Sequence, residues 1–254
     1  MEYAACKVPA APVRKKASHK SEMVNQLLFG EAVMVLKIKK KWALIRSVPE
    51  NYEGWITISH LEEIDGSLAL QYDPWVTSDL LSVIDIGGKP MHISAGASLL
   101  GFDGKSGKFG TLEYYFSGNR IKRNEVIPGE ELVRKLSIQW LNAPYLWGGR
   151  TILGVDCSGF AKTIFKMMGI DLPRDAWQQA QKGKQVKKLK DAVAGDLAFF
   201  NDKEEIVHVG ILLSNGEIIH SSGKVRIDTI TKKGIISSDT GKRTHRLKMI
   251  RRYW

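Results

Sequence analysis

Cysteine is scarce in this chain: Cys6 and Cys157 are the only two among 254 residues. No CxxC pair occurs, so a thiolate metal site is not expected. A Cys6–Cys157 disulfide stays open as an alternative, and it would consume the thiol singled out below. Long apolar runs are also missing; none approaches the length of a membrane span. The N-terminus, Met1-Glu2-Tyr3-Ala4-Ala5-Cys6-Lys7, lacks the basic-then-apolar layout of a secretory signal. A cytoplasmic protein is therefore expected, with the periplasm or cell wall as the alternative if a signal has been removed. The glycines around Lys105 and Lys108 do not have the spacing of a phosphate-binding loop. Acidic residues are outnumbered, and the net charge is +11. The basic residues are dispersed, as in Lys39-Lys40-Lys41, Lys187-Lys188 and Arg251-Arg252, with no aromatic-basic motif beside them. A solvated basic surface is the plain reading and attraction to an acidic substrate the functional one; nucleic acid is not an expected partner.

What is present falls into three stretches. Residues 1–64 read as short strands: Val33-Met34-Val35-Leu36-Lys37-Ile38, Trp42-Ala43-Leu44-Ile45, then Glu53-Gly54-Trp55-Ile56 after a turn at Pro49-Glu50-Asn51. Close spacing of such strands suggests a small barrel. Residues 65–127 are again strand-like, at Trp75-Val76, Leu81-Ser82-Val83-Ile84 and Thr111 to Phe116, punctuated by glycines. They are expected to form a second, diverged barrel. From Pro128 the pattern changes. Apolar residues at Leu132, Val133, Leu136, Trp140 and Leu141 predict a helix over 130–141. A second helix is predicted over 158–168, stopped by Gly169, and a third over 175–181. Strands follow at 196–200, 207–213 and 217–220, the last two joined by the tight-turn sequence Ser214-Asn215-Gly216. Helices first and an antiparallel sheet afterwards predict an α+β domain over 128–254.

Asp156-Cys157-Ser158-Gly159-Phe160-Ala161 carries the chemistry. A cysteine at the start of a helix lies at the positive end of the helix dipole, which favours the nucleophilic thiolate. A buried, inert cysteine is the bland alternative. A thiolate that attacks an amide needs a base and a group that holds the base in one tautomer. His208 and His220 fall on the two strands of the predicted hairpin, where residues of neighbouring strands sit side by side on one face. His208 is the expected base and His220 its orienting partner, by accepting or donating at the far ring nitrogen. His19, His60, His92 and His245 are read as structural or solvated. Backbone N–H groups near Cys157 are candidates for an oxyanion hole.

Residues 128–254 resemble the NlpC-type cell-wall peptidases, a papain-like family. The matching stretches are Pro144 to Gly149, Asp156 to Phe160, Leu172-Pro173-Arg174-Asp175, Gly195 to Phe200, His208 to Ile211 and Ile219 to Gly223. The resemblance implies a Cys157–His208–His220 triad. The first 64 residues resemble bacterial SH3-like domains. The combination is similar to the γ-D-glutamyl-L-diamino acid endopeptidases that recycle murein peptides. In that subgroup the barrel closes one end of the catalytic cleft, and substrates need a free N-terminal L-Ala. The resemblance implies that Asp156 binds the substrate's ammonium group, helped by Tyr52 and by Glu22, and that Ser158 and Asp175 contact or shape the substrate. Ala176 departs from relatives that carry serine there. A helix N-cap is the alternative role for Asp156, and a core or surface position the alternative for Tyr52. Trp147 is expected to pack its loop.

The expected activity is hydrolysis of the γ-D-Glu–diaminopimelate or γ-D-Glu–L-Lys bond, by a monomer without cofactor, metal or membrane. The competing readings are a non-catalytic peptidoglycan-binding protein and a thiolate-dependent acyltransferase on the same fold.

Overall fold

The computed structural model describes all residues except Pro49, Tyr72 and Asp73. The Pro49 part of the expected turn therefore lies outside the described residues. The chain is rich in sheet with few helices, and it divides into two compact units. One comprises Met1–Val126 together with Trp147–Ile152; the other comprises Ile127–Leu146 and Leu153–Trp254. Among the described residues no helix is long and apolar enough to cross a membrane.

In the first unit, seven antiparallel strands between Tyr3 and Ile64 form one sheet. The expected strands appear as Ala32–Lys39, Trp42–Ser47 and Glu53–Thr57. Alternate residues Val33, Ala43, Ile45 and Ile56 turn inward onto Ala4, Val13 and Leu27. Residues 75–122 do not close a second sheet of this kind. They give a four-stranded sheet and a separate two-stranded one. Their apolar side chains Ile84, Ile93, Phe109 and Tyr114 share a core with Ala5, Leu28 and Phe29 of the first stretch. The physical reason is visible at Phe29, which meets the rings of Phe109 and Tyr114 edge-on at 5.4 and 5.3 Å. At Gly30 (φ +75°) a Cβ would fall 2.0 Å from the Ser98 carbonyl oxygen, so only glycine permits that approach.

The loop 147–152 completes this unit. Arg150 is fully buried there. Its guanidinium donates to both carboxylate oxygens of Glu31 at 2.7 Å and to the Gln26 carbonyl at 2.9 Å.

The second unit begins with three helices, Glu130–Ile138, Cys157–Met167 and Ala176–Ala180. The first is shorter than the expected 130–141; the Trp140 and Leu141 amides bond three residues back, to Ser137 and Ile138. A seven-stranded antiparallel sheet follows, in the order Lys184–Val186, Arg243–Arg252, Leu197–Asp202, Glu205–Leu212, Glu217–Ser222, Lys224–Thr231, Gly234–Ile236. The Cys157 helix is buried along its whole length. Phe160 packs edge-on against Trp140, and Phe165 against Tyr253. Ser221 on the Glu217–Ser222 strand donates its hydroxyl to the Val155 carbonyl at 2.7 Å. That bond ties the approach to the Cys157 helix to the strand that carries His220.

Candidate active site

Cys157 is the first residue of its helix, and Asp156 is the N-cap. The Asp156 carboxylate accepts the Gly159 N–H at 2.7 Å, which satisfies one of the helix's unpaired first-turn donors. The same carboxylate accepts both terminal nitrogens of Arg174, at 3.1 and 2.6 Å, and the Ser158 hydroxyl at 3.3 Å. Arg174 also donates to the Ser158 oxygen at 2.9 Å. All three side chains are buried. The helix-capping role of Asp156 is therefore present, and Arg174 supplies the positive charge that a buried carboxylate beside a cysteine requires.

The Cys157 thiol is only 7 % exposed. Burial pushes it up to about 12, and the Asp156 charge adds to the rise. The Val209 N–H, the Arg174 guanidinium and the Ser158 N–H, all directed to or near the sulfur, pull the other way and are outweighed. The field at the helix start thus does not leave a free thiolate at rest: desolvation wins. Tyr145 lies close by. Burial pushes its phenol up to about 12, with the charges of Cys157 and Asp156 adding to the rise and Arg174 opposing it. Its hydroxyl keeps its proton at neutral pH and so remains a donor.

Val209, whose N–H faces that sulfur, directly follows His208. His208 is on the Glu205–Leu212 strand and His220 on Glu217–Ser222, paired antiparallel as the sequence predicts. Gly210 stands between them. A Cβ there would lie 2.6 Å from Ile218 Cδ1 and 2.9 Å from the His220 Cβ, so glycine is what lets the two strands bring their imidazoles together. His208 Nε2 and His220 Nδ1 are 2.8 Å apart. His220 Nε2 is 3.1 Å from Asp228 Oδ2. The other oxygen of Asp228 accepts from Arg226, at 3.0 Å, and from the Ser238 N–H and hydroxyl, each at 2.8 Å. Burial opposes the Asp228 charge, but the hydrogen bonds from His220, Ser238 and Arg226 outweigh it and hold this carboxyl well below the usual range.

An ionised Asp228 accepts only, which fixes the order of protons. His220 Nε2–H donates to Asp228. His220 Nδ1 then accepts from His208 Nε2–H. The lone pair of His208 is thereby on Nδ1. Burial first, then the facing His220 and His245, hold the His208 imidazole well below the ordinary histidine range, so it is neutral at pH 7.

The structure gathers Asp156, Cys157 and Ser158 around Arg174, and His208 and His220 in line with Asp228. Asp175 is at the N-cap position of the Ala176–Ala180 helix, where its N–H donates to the Gln178 side chain at 3.1 Å. Tyr52 and Glu22 belong to the first unit. Glu22 accepts the Trp147 indole N–H at 2.9 Å, and the Trp147 ring is exposed rather than packed under its loop. Sequence reasoning missed Arg174 as a partner, although the residue stands in one of the matching stretches. It missed Asp228, whose alternation with Arg226 along a strand looks like a solvated face. His245, read as structural or solvated, is half-buried and stacks on His208. Among the described residues no group of three or more His, Cys, Asp or Glu side chains is arranged to hold a metal ion.

Comparison with known proteins shows the family. Residues 142–244 match the model of the NlpC/P60 family, and residues 13–61 match that of the bacterial dipeptidyl-peptidase Sh3 domain. A gamma-D-glutamyl-L-lysine dipeptidyl-peptidase of Bacillus subtilis is 31% identical over 228 residues, 82% of this chain and 76% of that protein. The chain belongs to the NlpC/P60 family. Another NlpC/P60 relative, a gamma-D-glutamyl-L-lysine dipeptidyl-peptidase of Bacillus cereus, is 28% identical over 257 residues, 89% of this chain and 76% of that one. The crystal structure of an NlpC/P60 family protein from Bacillus cereus shares the fold. It has a TM-score of 0.79 over 99% of both chains at 22% identity. Family membership supports a peptidase role for the NlpC/P60 unit, and the bacterial dipeptidyl-peptidase Sh3 domain falls in the first unit.

The acid behaviour of this NlpC/P60 chain follows from the charges above. A histidine held below its unfolded value lets the unfolded chain bind protons first, so His208 and His245 make stability fall as pH drops below about 6.5. Asp228, held low, stabilises the fold above about pH 4 and loses that contribution as pH falls through its folded value. Thermal melts of Asp228→Asn against pH are expected to show a lower Tm at neutral pH and a flatter decline below pH ~4. A decline parallel to that of the wild type would mean that Asp228 is not the charged anchor.

Proposed function

We propose that this protein is a cysteine peptidase that cuts the γ-D-glutamyl bond to a diamino acid in murein peptides with a free N-terminal L-Ala. The observation that carries the reading is the aligned series His208–His220–Asp228, ending one residue from the amide that faces the Cys157 sulfur. That order of protons leaves His208 Nδ1 as the acceptor for the thiol proton.

The Cys157 sulfur attacks the γ-carbonyl carbon of D-Glu while His208 Nδ1 takes the thiol proton. His220 and Asp228 stabilise the imidazolium formed. The Ser158 N–H, which is directed to the sulfur, and the Tyr145 hydroxyl, whose charge interacts with Cys157, are the candidate donors to the oxyanion. Collapse breaks the C–N bond, and His208 returns the proton to the departing amine. The L-Ala-γ-D-Glu group is then held as a thioester. Water adds with loss of its proton to His208, the C–S bond breaks, and His208 returns that proton to the departing thiolate, restoring the thiol and the neutral imidazole.

The bond and the free amine are supported by the relatives' names, since a dipeptidyl-peptidase releases a dipeptide from a free amino end. Asp156 is the residue we assign to the amine; its partner Arg174 holds the carboxylate in one position. The test is mass spectrometry of products from L-Ala-γ-D-Glu-L-Lys and the diaminopimelate analogue, each with free and N-acetylated L-Ala. Release of L-Ala-γ-D-Glu from the free forms and none from the acetylated forms is expected. Equal rates on both would remove the free-amine requirement and leave a general endopeptidase.

A further inference from the structure

His245 is 37 positions from His208 in sequence, on the strand Arg243–Arg252. The two rings nevertheless stack, with centroids 4.3 Å apart and planes 25° from parallel. His220 meets both rings nearly at right angles, at 5.0 and 5.8 Å. Phe200 closes a further side of the group, 5.8 Å from His208 and from His245. The His245 Nδ1 is tied to the Thr244 hydroxyl at 2.9 Å. His208 is 6 % exposed and His220 1 %, whereas His245 is half-buried, the outermost of the three.

A base held by one hydrogen bond at Nε2 can still swing about that bond. The remaining freedom is rotation of the imidazole plane, which would carry Nδ1 away from the sulfur. A ring stacked on its face removes that freedom and keeps water off the same face. We infer that His245 is a positioning residue for the base: its ring, stacked on His208, fixes the plane of that imidazole and keeps it dry, and so sets the acid limit of activity. The inference rests on His208 being the base.

The surroundings of both rings bear on the acid limit. His208 faces His220 from the neighbouring strand, His245 from the Arg243–Arg252 strand and neutral Phe200 from Leu197–Asp202, and the next residue, Val209, turns its N–H to the Cys157 sulfur. Asp228 and Arg226 act behind His220, and Asp156 and Arg174 beside Cys157. Burial holds His245 down to about 4, with His220 lowering it further and Asp228 opposing. His245 is therefore neutral over the working range. It acts as a flat, uncharged cover rather than as a second cation. A stacked imidazolium pair would also be repulsive, so the two rings cannot both take up protons readily.

The test compares wild type, His245→Phe and His245→Ala. Phenylalanine keeps a flat ring on His208; alanine opens that face to water. The 15N resonances of the imidazoles, followed against pH without substrate, read the His208 titration directly. In His245→Ala the His208 midpoint is expected to rise by about one unit or more toward the usual value, and the acid limb of kcat/KM to rise with it. Its kcat is expected to fall about tenfold, as the base loses orientation. His245→Phe is expected to stay near the wild type in both profiles. A stack that served only the fold would lower stability and leave the His208 midpoint where it is. An unchanged midpoint and an unchanged acid limb in His245→Ala would overturn the inference. Because the titration needs no peptide, it decides the question even if none of the murein peptides is cleaved, and His208→Ala retaining full activity would sink the base assignment separately.

Discussion

Cys157→Ala is expected to abolish peptide cleavage, with a loss in kcat/KM of about 10⁴-fold or more, while the fold persists. The substitution removes one atom from a residue that is nearly buried, so the effect on stability is small beside the effect on turnover. His208→Ala is expected to act on the same scale, since the thiol at rest is protonated. Burial and the Asp156 charge together keep the sulfur neutral, and attack requires the base to remove the proton as the bond forms. The same argument distinguishes this site from one holding a resting thiolate–imidazolium pair. Iodoacetamide labelling of Cys157 should be slow at neutral pH and rise steadily into the alkaline range. A rate independent of pH through the acid range would show a resting ion pair instead. Cys6 is a useful internal marker, because burial pushes its thiol up to about 12 as well, and its labelling reports loss of the fold. Residual cleavage near the wild-type rate in Cys157→Ala would end the nucleophile assignment.

The largest stability effect is expected at Arg174. Its guanidinium is 1 % exposed and its partner carboxylate 6 %. Removing one member of a buried ion pair leaves the other charge without compensation, a change worth roughly 3–5 kcal/mol. Arg174→Met is therefore expected to lower Tm more than any single change at the two histidines. It also lifts the restraint on the Asp156 charge beside Cys157, so that the thiol moves further up and kcat falls. The double variant Arg174→Met with Asp156→Asn separates these effects. Asparagine still caps the helix, and neither charge is then present. Most of the lost stability should return in the double variant, as a strong positive coupling in the cycle. Additive losses, with the double variant worse than either single one, would mean that the pair is not the source of the effect.

The parts of the site legible in sequence are those set by short-range chemistry. Cys157 was readable because Asp156 caps a helix that starts at the next residue. His208 and His220 were readable because Ser214-Asn215-Gly216 makes a tight turn between two apolar strands, and that turn alone sets which residues face each other. Arg174 stands in one of the matching stretches, but a lone arginine gives no sign that it will be buried against a carboxylate 18 residues away. Asp228 and His245 were out of reach for a different reason. Their strands alternate with arginines and lysines, and only the pairing of distant strands decides which members of that alternation turn inward. Residues 65–127 were expected to close on themselves; what the sequence does not carry is that Phe29 reaches Phe109 and Tyr114, which makes one core of two stretches. The helix dipole favours the thiolate, as the sequence implies, but burial outweighs it here and is invisible until the fold is known.

Arg150 and its loop have a bearing on how the chain is made. Synthesis runs from the N-terminus, yet the first unit lacks Trp147–Ile152 when residue 126 has emerged. Until then Glu31 has no Arg150 and Gln26 no amide from the same residue to receive. The chain must extend through the whole Glu130–Ile138 helix, which belongs to the other unit, before the first is complete. The second unit is thus begun before the first is finished, and a chain cut at 126 is an unfinished first unit.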